Sequence, residues 1–331
     1  MNFNTEIRER RSLIMNLTAT IRKALKGKNR LLWPILAGTI LLCVVLIIRC
    51  GKSEPKAVNS GHVIVETVKT DDFSMDYCKF GTGEHVLAVL PGLSVQSVMG
   101  SADAIAEAFK EYKDDFTVYV FERRNTLPAS YRVADTARDT VEAIHAIGLK
   151  KVSLFGASYG GMVSMEIAAE NPELVDKMIL ASTAAKVTDE EYKVIENWSR
   201  LAEKGDATEL YLAFGEALYP KEVFEQSRQL MTEAAKTVTA EDLKRFVILA
   251  EGIKGFDASE HLDRILCPVL LVGDEQDRVL GVEATKNIAK QFAGHSDFEL
   301  YLYDGYGHAV YDTAPDFRNR MLQFLKKDRK G

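Results

Sequence analysis

Residues Lys151–Val163 read KVSLFGASYGGMV, and this stretch decides the fold of the chain. An apolar run rich in β-forming residues, Val152–Phe155, ends abruptly at Gly156, and an apolar helical pattern begins beyond the paired glycines. The segment GASYG around Ser158 fits G-x-S-x-G, a sharp strand-to-helix turn that exposes a serine hydroxyl at the end of a sheet. Free N–H groups at the start of a helix favour an anionic intermediate beside such a serine. The pattern predicts a nucleophile, while the alternative is that Ser158 only caps the helix.

Composition limits the classes of protein to which this chain can belong. The 331 residues are enough for one large α/β domain or two smaller ones, and 47% of them are hydrophobic. A formal net charge of −6 argues against nucleic acid as a partner. There is no Walker loop, no dinucleotide-binding glycine motif and no zinc-type Cys/His spacing, so neither a cofactor nor a metal is predicted. The four cysteines do not form a disulfide framework, and Cys78 and Cys267 are expected to be buried thiols.

The N-terminal part of the chain contains a candidate membrane span. Residues 31–48 form an uncharged, mostly apolar run between Arg30 and Arg49. A helix of that length spans about 27 Å, close to the hydrocarbon thickness of a bilayer. A cleaved signal peptide is the alternative, but the run and the leader before it are long, and no small-x-small cleavage site follows.

The Lys/Arg distribution around this run predicts its orientation. Basic residues are more frequent before the run than after it, which places the N-terminus in the cytoplasm. We therefore expect residues 1–30 to be a cytoplasmic basic segment, residues 31–48 to be a transmembrane signal anchor in contact with the lipid bilayer, and residues 49–61 to be a tether. The protein is then a single-pass protein of the cell membrane, with the rest of the chain outside.

From residue 62 onward, apolar strand patterns alternate with helical patterns. Two half-buried strands, His62–Val68 and Met75–Lys79, surround a turn signal and predict a hairpin. Buried-strand patterns follow at Val86–Leu90, Phe116–Phe121, Val152–Phe155, Lys177–Ala181, Pro268–Val272 and Phe298–Tyr303. Helical patterns lie at Ala102–Tyr112, Val133–Ile147 and Asp316–Lys326, and directly after Ser158. The alternation predicts an α/β fold with a doubly wound, mostly parallel sheet.

Between about residues 185 and 256 the pattern contains helices only. Two segments, Thr188–Glu191 and Thr239–Asp242, resemble capping boxes that begin amphipathic helices. A separate all-α domain is one explanation, but the buried-strand pattern resumes at residue 268. Because the strand pattern resumes, we predict a helical cap at about 185–256 that is inserted in a domain spanning residues 62–326.

A serine nucleophile needs a base and a carboxylate that orients the base. Of the six histidines, His308 directly follows the last predicted strand in a glycine-rich loop, whereas His295 lies before that strand. Three carboxylates, Asp274, Glu275 and Asp277, follow the strand at 268–272. Asp277 is the preferred acid, and the other two are expected to be solvated loop charges.

Residues 62–325 resemble the α/β-hydrolase fold superfamily, in the cap-bearing branch of small-molecule esterases, lipases and proline iminopeptidases. The order Ser158, Asp277, His308 matches the superfamily order of nucleophile, acid and base. By this resemblance the backbone N–H groups of Leu93, just after Pro91-Gly92, and of Tyr159 form the oxyanion hole. The resemblance implies no cofactor and no metal.

One segment departs from the pattern of that superfamily. FERRN at residues 121–125 lacks the Gly-x-Gly that often follows this strand. Glu122 and the two arginines after it form either a structural ion pair or a contact with a polar substrate, and we favour the ion pair.

Taken together, these patterns predict a membrane-anchored serine hydrolase. Its substrate is expected to be a small carboxylic ester with an apolar acyl part, because the cap is rich in aromatic and aliphatic residues. The same triad also serves peptidases, thioesterases and acyltransferases. An alternative of another class is a non-catalytic binding module on a hydrolase fold.

Overall fold

A computed structural model describes residues 62–327. Its centre is an eight-stranded sheet in the order β1-β2-β4-β3-β5-β6-β7-β8. The strands are β1 (Val65–Lys69), β2 (Ser74–Phe80), β3 (His85–Leu90), β4 (Phe116–Arg124), β5 (Val152–Ala157), β6 (Val175–Ala181), β7 (Val269–Asp274) and β8 (Phe298–Tyr303).

The first two strands form the predicted hairpin, and all strands from β3 onward are parallel. β1 pairs with β2 and β2 with β4 in antiparallel registers, whereas β4, β3, β5, β6, β7 and β8 pair in parallel. At the carboxyl ends Leu90 pairs with Gly156, and Ala157 pairs with Ala181. The loops that follow β3, β5, β7 and β8 therefore begin at one edge of the sheet. The predicted mostly parallel α/β fold is confirmed.

Helices cover both faces of the sheet. They are α1 (Ala102–Ala108), α2 (Val133–Ala146), α3 (Tyr159–Glu170), four cap helices described below, α8 (Val282–Gln291), α9 (Val310–Thr313) and α10 (Phe317–Lys326). Buried residues of α2, α3 and α8 pack in one core cluster, and those of α1 and α10 pack in a second. Adjacent β5 residues serve different faces, since Leu154 lies in the first cluster and Phe155 in the second.

Three helices differ from the sequence prediction, and one of them is the short helix α9, which was not predicted. The helix predicted over 102–112 ends at Ala108 and continues as a 3-10 turn over Lys110–Tyr112. Helix α8 was not predicted, because no Ser, Thr, Asp or Asn marks its start. Its N-cap is Gly281, which has a φ of 75° and no side chain that could cap the helix.

The cap consists of α4 (Asp189–Glu203), α5 (Ala207–Leu218), α6 (Lys221–Ala235) and α7 (Ala240–Glu251). Both predicted capping boxes are confirmed: the hydroxyl oxygen of Thr188 accepts the N–H of Glu191 at 3.3 Å, and that of Thr239 accepts the N–H of Asp242 at 3.1 Å. A backbone bridge joins Lys186, which precedes the helical segment, to Asp257, which follows it.

The predicted basic segment, membrane span and tether (1–30, 31–48 and 49–61) lie outside the described residues. Within residues 62–327, no helix combines the length and the apolarity that a bilayer crossing needs. Cys78 and Cys267 are both buried, as predicted.

Candidate active site

Ser158 lies in a strained turn between β5 and α3. Its φ is 52° and its ψ is −118°, a conformation that costs a non-glycine residue about 1–3 kcal/mol. The flanking glycines permit the turn because a Cβ at Gly160 would lie 1.9 Å from the carbonyl oxygen of Leu90. A Cβ at Gly156 would lie 2.2 Å from the carbonyl oxygen of Gly160. Ser158 thus stands at the carboxyl edge of the sheet and at the start of a helix, as its motif predicts.

His308 and Asp277 form a buried pair at the same edge. Nδ1 of His308 lies 2.9 Å from each carboxylate oxygen of Asp277. The two residues are 2% and 9% exposed. A carboxylate on Nδ1 holds the proton there, so Nε2 becomes the nitrogen that can accept a proton.

Asp277 is held in its ionised form. Burial alone would raise its pKa, but His308 and the N–H groups of Val279 and Leu280 outweigh burial and lower the pKa below its usual value. These two N–H groups donate to Oδ1 at 2.8 and 3.2 Å. An ionised carboxylate here stabilises the imidazolium that forms when His308 accepts a proton.

The other two candidate acids have different surroundings. Asp274 is fully buried and accepts the N–H groups of Gln276, Tyr306 and Gly307 at 2.8, 2.9 and 3.0 Å. It therefore joins the loop after β7 to the loop that carries the histidine, and it is not the solvated charge that the sequence predicted. Glu275 forms an ion pair with Lys286 at 3.2 Å, away from His308.

The loops that carry the acid and the base both bind the C-terminal end of cap helix α5. The N–H of Ala309 donates to the carbonyl oxygen of Leu218 at 3.0 Å. The guanidinium of Arg278 donates to the carbonyl oxygens of Glu216 and Tyr219. These bonds satisfy the free carbonyls at the end of the helix and connect the cap to both loops.

The two backbone positions predicted for the oxyanion hole belong to segments that lie next to Ser158. Tyr159 is the first residue of α3, where N–H groups have no partner within the helix. Leu93 follows Gly92, at which an added Cβ would lie 3.5 Å from Cβ of Ser158. Both residues are buried, at 8% exposure for Leu93 and 1% for Tyr159.

A buried arginine braces the loop at residues 91–95, which carries Leu93 and is called the oxyanion loop below. Nη2 of Arg123 donates to the carbonyl oxygens of Pro91 at 2.8 Å and of Gly92 at 2.6 Å. The same guanidinium lies 5.1 Å from the ring centroid of Tyr159. One side chain thus contacts both segments that could supply oxyanion N–H groups.

Glu122 holds this arginine in place. Its Oε1 lies 3.2 Å from Nη1 of Arg123 and 2.8 Å from Nη2 of Arg245, which belongs to cap helix α7. Its Oε2 accepts the N–H of Val98 at 2.8 Å. Burial alone would raise the pKa of Glu122, but Arg245 and Arg123 outweigh burial and lower the pKa to about 2. The predicted structural ion pair is confirmed.

The partners in this network differ in two ways from the prediction. Arg124 does not reach Glu122 and instead lies 3.4 Å from Asp139. Arg245 was missed, because it is far from Glu122 in the sequence and no local pattern connects them.

A cavity of about 190 Å³ adjoins the serine turn. Its wall includes Ala157, the loop over Gly92–Val95 and the inner side of cap helix α5. It continues to Ile105 and Phe109 of α1 and to residues of α9 and α10. Most of the wall is apolar.

No cluster of three or more His, Cys, Asp or Glu residues suitable for a metal ion occurs between residues 62 and 327.

Residues 88–319 match the sequence model of the alpha/beta hydrolase family. The chain belongs to this family. It is 27% identical over 248 residues to the putative carbamate hydrolase RutD of Agrobacterium fabrum, covering 72% of this chain and 94% of that protein. It is also 27% identical over 240 residues to the human serine hydrolase BPHL, covering 70% of this chain and 76% of that protein. Curated relatives of the chain are thus named as hydrolases.

Solved structures show the same fold. An alpha/beta hydrolase from a Medee basin deep-sea metagenome library covers 80% of this chain and 99% of its own, with a TM-score of 0.70 and 18% identity. The enol-lactonase of Burkholderia xenovorans covers 79% of this chain and 100% of its own, with a TM-score of 0.67 and 14% identity. Together with the family match, these likenesses identify the protein as a hydrolase of this fold.

Proposed function

We propose that this hydrolase cleaves a small carboxylic ester through an acyl-enzyme formed on Ser158. One observation carries the proposal: the His308–Asp277 pair lies at the same sheet edge as a serine in a strained strand-to-helix turn. A turn that only capped the helix would not need that pair.

The chemistry follows from this arrangement. Nε2 of His308 takes the proton of the Ser158 hydroxyl as its oxygen attacks the ester carbonyl, and Asp277 stabilises the resulting imidazolium. The N–H groups of Leu93 and Tyr159 bind the oxyanion, and His308 then returns the proton to the leaving alcohol. A water molecule, activated by His308 in the same way, releases the acid from the serine.

An ester is favoured because the cavity beside the serine has a mainly apolar wall. A hydrocarbon chain gains about 0.8 kcal/mol for each CH₂ group that it buries there. The aromatic residues Tyr211 and Phe214 of α5 contribute to this wall.

The experiment that tests the assignment uses the full chain in detergent. A fluorophosphonate probe should label the wild-type protein and leave folded Ser158→Ala unlabelled. p-Nitrophenyl esters of increasing chain length, together with a carbamate, then define the leaving group and the acyl length. If the folded wild-type protein takes up no probe, the protein is a binding module and not a serine hydrolase.

Membrane anchoring is a second part of the proposal. The uncharged run at residues 31–48, flanked by basic residues, supports a single-pass anchor in the cell membrane, with the hydrolase domain outside. Deletion of residues 1–50 should move the protein from the membrane fraction to the soluble fraction while Ser158-dependent hydrolysis is retained. A truncated protein that still sediments with membranes would contradict the anchor.

A further inference from the structure

The wall of the cavity that adjoins the serine turn contains one charged pair. Of the described residues that line the cavity, Asp312 and Arg318 are the two that carry a charge at neutral pH. Asp312 belongs to α9, which begins two residues after His308, and Arg318 belongs to α10. The pair is therefore attached to the same segment as the base.

The carboxylate of Asp312 is poorly compensated. It is 7% exposed, and the hydrogen bond that the structure gives it among residues 62–327 comes from Nη2 of Arg318 at 3.3 Å. Burial raises the pKa of Asp312 to about 6, although Arg318 acts in the opposite direction. A buried carboxylate has about four lone-pair positions, so a single long contact leaves capacity for a further donor.

A second carboxylate nearby, Asp316, forms an ion pair at the surface and serves as a comparison. Asp316 lies 2.9 Å from Nη2 of Arg320, its side chain is 49% exposed, and its other oxygen accepts the hydroxyl of Tyr303. Both of its oxygens therefore have partners, and water reaches them as well. Asp312, by contrast, has a hydrogen bond from Arg318 alone among the described residues and is almost inaccessible to water, and it borders the cavity.

We propose that Asp312, held by Arg318, forms a polar subsite that accepts a hydrogen bond from a hydroxyl or amino group of the substrate. The cavity extends from Ala157, next to Ser158, to Asp312. The donor therefore belongs to the part of the substrate that fills the cavity, away from the scissile carbonyl. The preferred substrate is an ester whose otherwise apolar chain carries this donor. The inference rests on the proposed ester hydrolysis for the identity of its ligand.

The test compares matched esters at pH 7.5 with the full chain in detergent. One pair places the hydroxyl on the acyl side: p-nitrophenyl hexanoate and p-nitrophenyl 6-hydroxyhexanoate. The other places it on the alcohol side: hexyl acetate and 6-hydroxyhexyl acetate. For at least one pair, kcat/KM should be about 10 to 100 times higher for the hydroxylated ester, because a hydrogen bond to a charged group has that effect.

Three variants separate the subsite from a structural ion pair. Asp312→Leu should remove the preference for the hydroxylated ester. Asp312→Asn should reduce it several-fold, because the hydrogen bond is no longer charge-assisted. Asp316→Asn, the matched control, should keep it. Equal kcat/KM within both pairs for the wild-type protein, or a preference that survives in Asp312→Leu, would overturn the subsite.

A binding measurement keeps the test independent of turnover. Calorimetric titration of Ser158→Ala with ethyl hexanoate and ethyl 6-hydroxyhexanoate should show tighter binding of the hydroxylated ester, and the additional change Asp312→Asn should weaken that advantage. A calorimetric preference without wild-type turnover supports the subsite and refutes the proposed hydrolysis. Turnover without any preference refutes the subsite alone. The absence of both refutes both.

Discussion

Replacing Asp312 with asparagine should stabilise the protein at neutral pH. The residue is buried, and its pKa is raised from 3.8 to about 6, so its ionised form is unfavourable in the folded state. A rise of this size corresponds to about 3 kcal/mol of unfolding free energy at pH 7.5. Asparagine has nearly the same shape and no charge, so it should recover up to that amount.

The stability gained by Asp312→Asn should decrease as the pH is lowered. A carboxyl whose pKa is raised by folding contributes its full stability below the unfolded value of 3.8 and loses it as the pH rises through about 6. The advantage of Asp312→Asn should therefore fall from about 3 kcal/mol at pH 7.5 to about 1 kcal/mol at pH 4.5. Arg318 is the cation that faces the carboxylate, and its attraction for the ionised form is already included in the pKa of about 6.

Urea unfolding in detergent at the two pH values measures this difference, with Asp316→Asn as the control. The control removes an exposed carboxylate and should change stability by less than about 0.5 kcal/mol at either pH. If Asp312→Asn is less stable than the wild-type protein at pH 7.5, the ion pair with Arg318 is net stabilising. The carboxylate of Asp312 would then be well compensated by Arg318, contrary to the prediction.

Three further pairs of substitutions test the active site and the turn that carries it. Asp277→Asn should lower kcat by about 10⁴-fold because the histidine loses its orientation, whereas Asp274→Asn should mainly lower stability, by about 1–3 kcal/mol, with a smaller fall in kcat; steady-state kinetics and urea unfolding separate the two effects. Arg245→Met should lower kcat about 10- to 100-fold with little change in KM, because the brace under the oxyanion loop is weakened, and Arg245→Lys should restore part of it; a raised KM with unchanged kcat would instead indicate a substrate contact. Gly160→Ala should destabilise the fold by about 1–3 kcal/mol or more in thermal unfolding, because its Cβ would overlap a backbone oxygen of β3, whereas Gly294→Ala, with no atom within 4 Å, should be neutral.

Local signals predicted most of the fold. A short, continuous apolar run such as Val86–Leu90 is typical of a buried strand and not of an amphipathic helix. The turn at Ser158 is specified by the glycines on either side of it. His308 follows the last strand directly, so topology alone brings it to the edge where the serine lies. These features are determined by residues that are close together in the sequence, so a local sequence pattern reveals them.

The features that could not be predicted depend on contacts between distant segments or on the path of one loop. Asp274 lies on the same turn as Asp277, and only the course of that turn gives Asp274 its backbone N–H partners in place of the solvent that the sequence predicted. Arg245 reaches Glu122 from a cap helix, and charge patterns in the sequence do not indicate which arginine does so. Asp312 is a single acidic residue in a four-residue helix, with no pattern to reveal that it borders a cavity.

The contacts of the cap suggest how this hydrolase combines a fixed reaction centre with a selective cavity. The acid and base loops bind the end of α5, and Tyr211 near its start donates to Gln96 at 3.0 Å, just beyond the oxyanion loop. Arg245 adds a third connection through Glu122. Because cap helices α5 and α6 also line the cavity, a change on their outer side should leave both chemistry and selectivity intact. A change on their inner side, or at Asp312, alters which chain fits while the triad geometry is preserved.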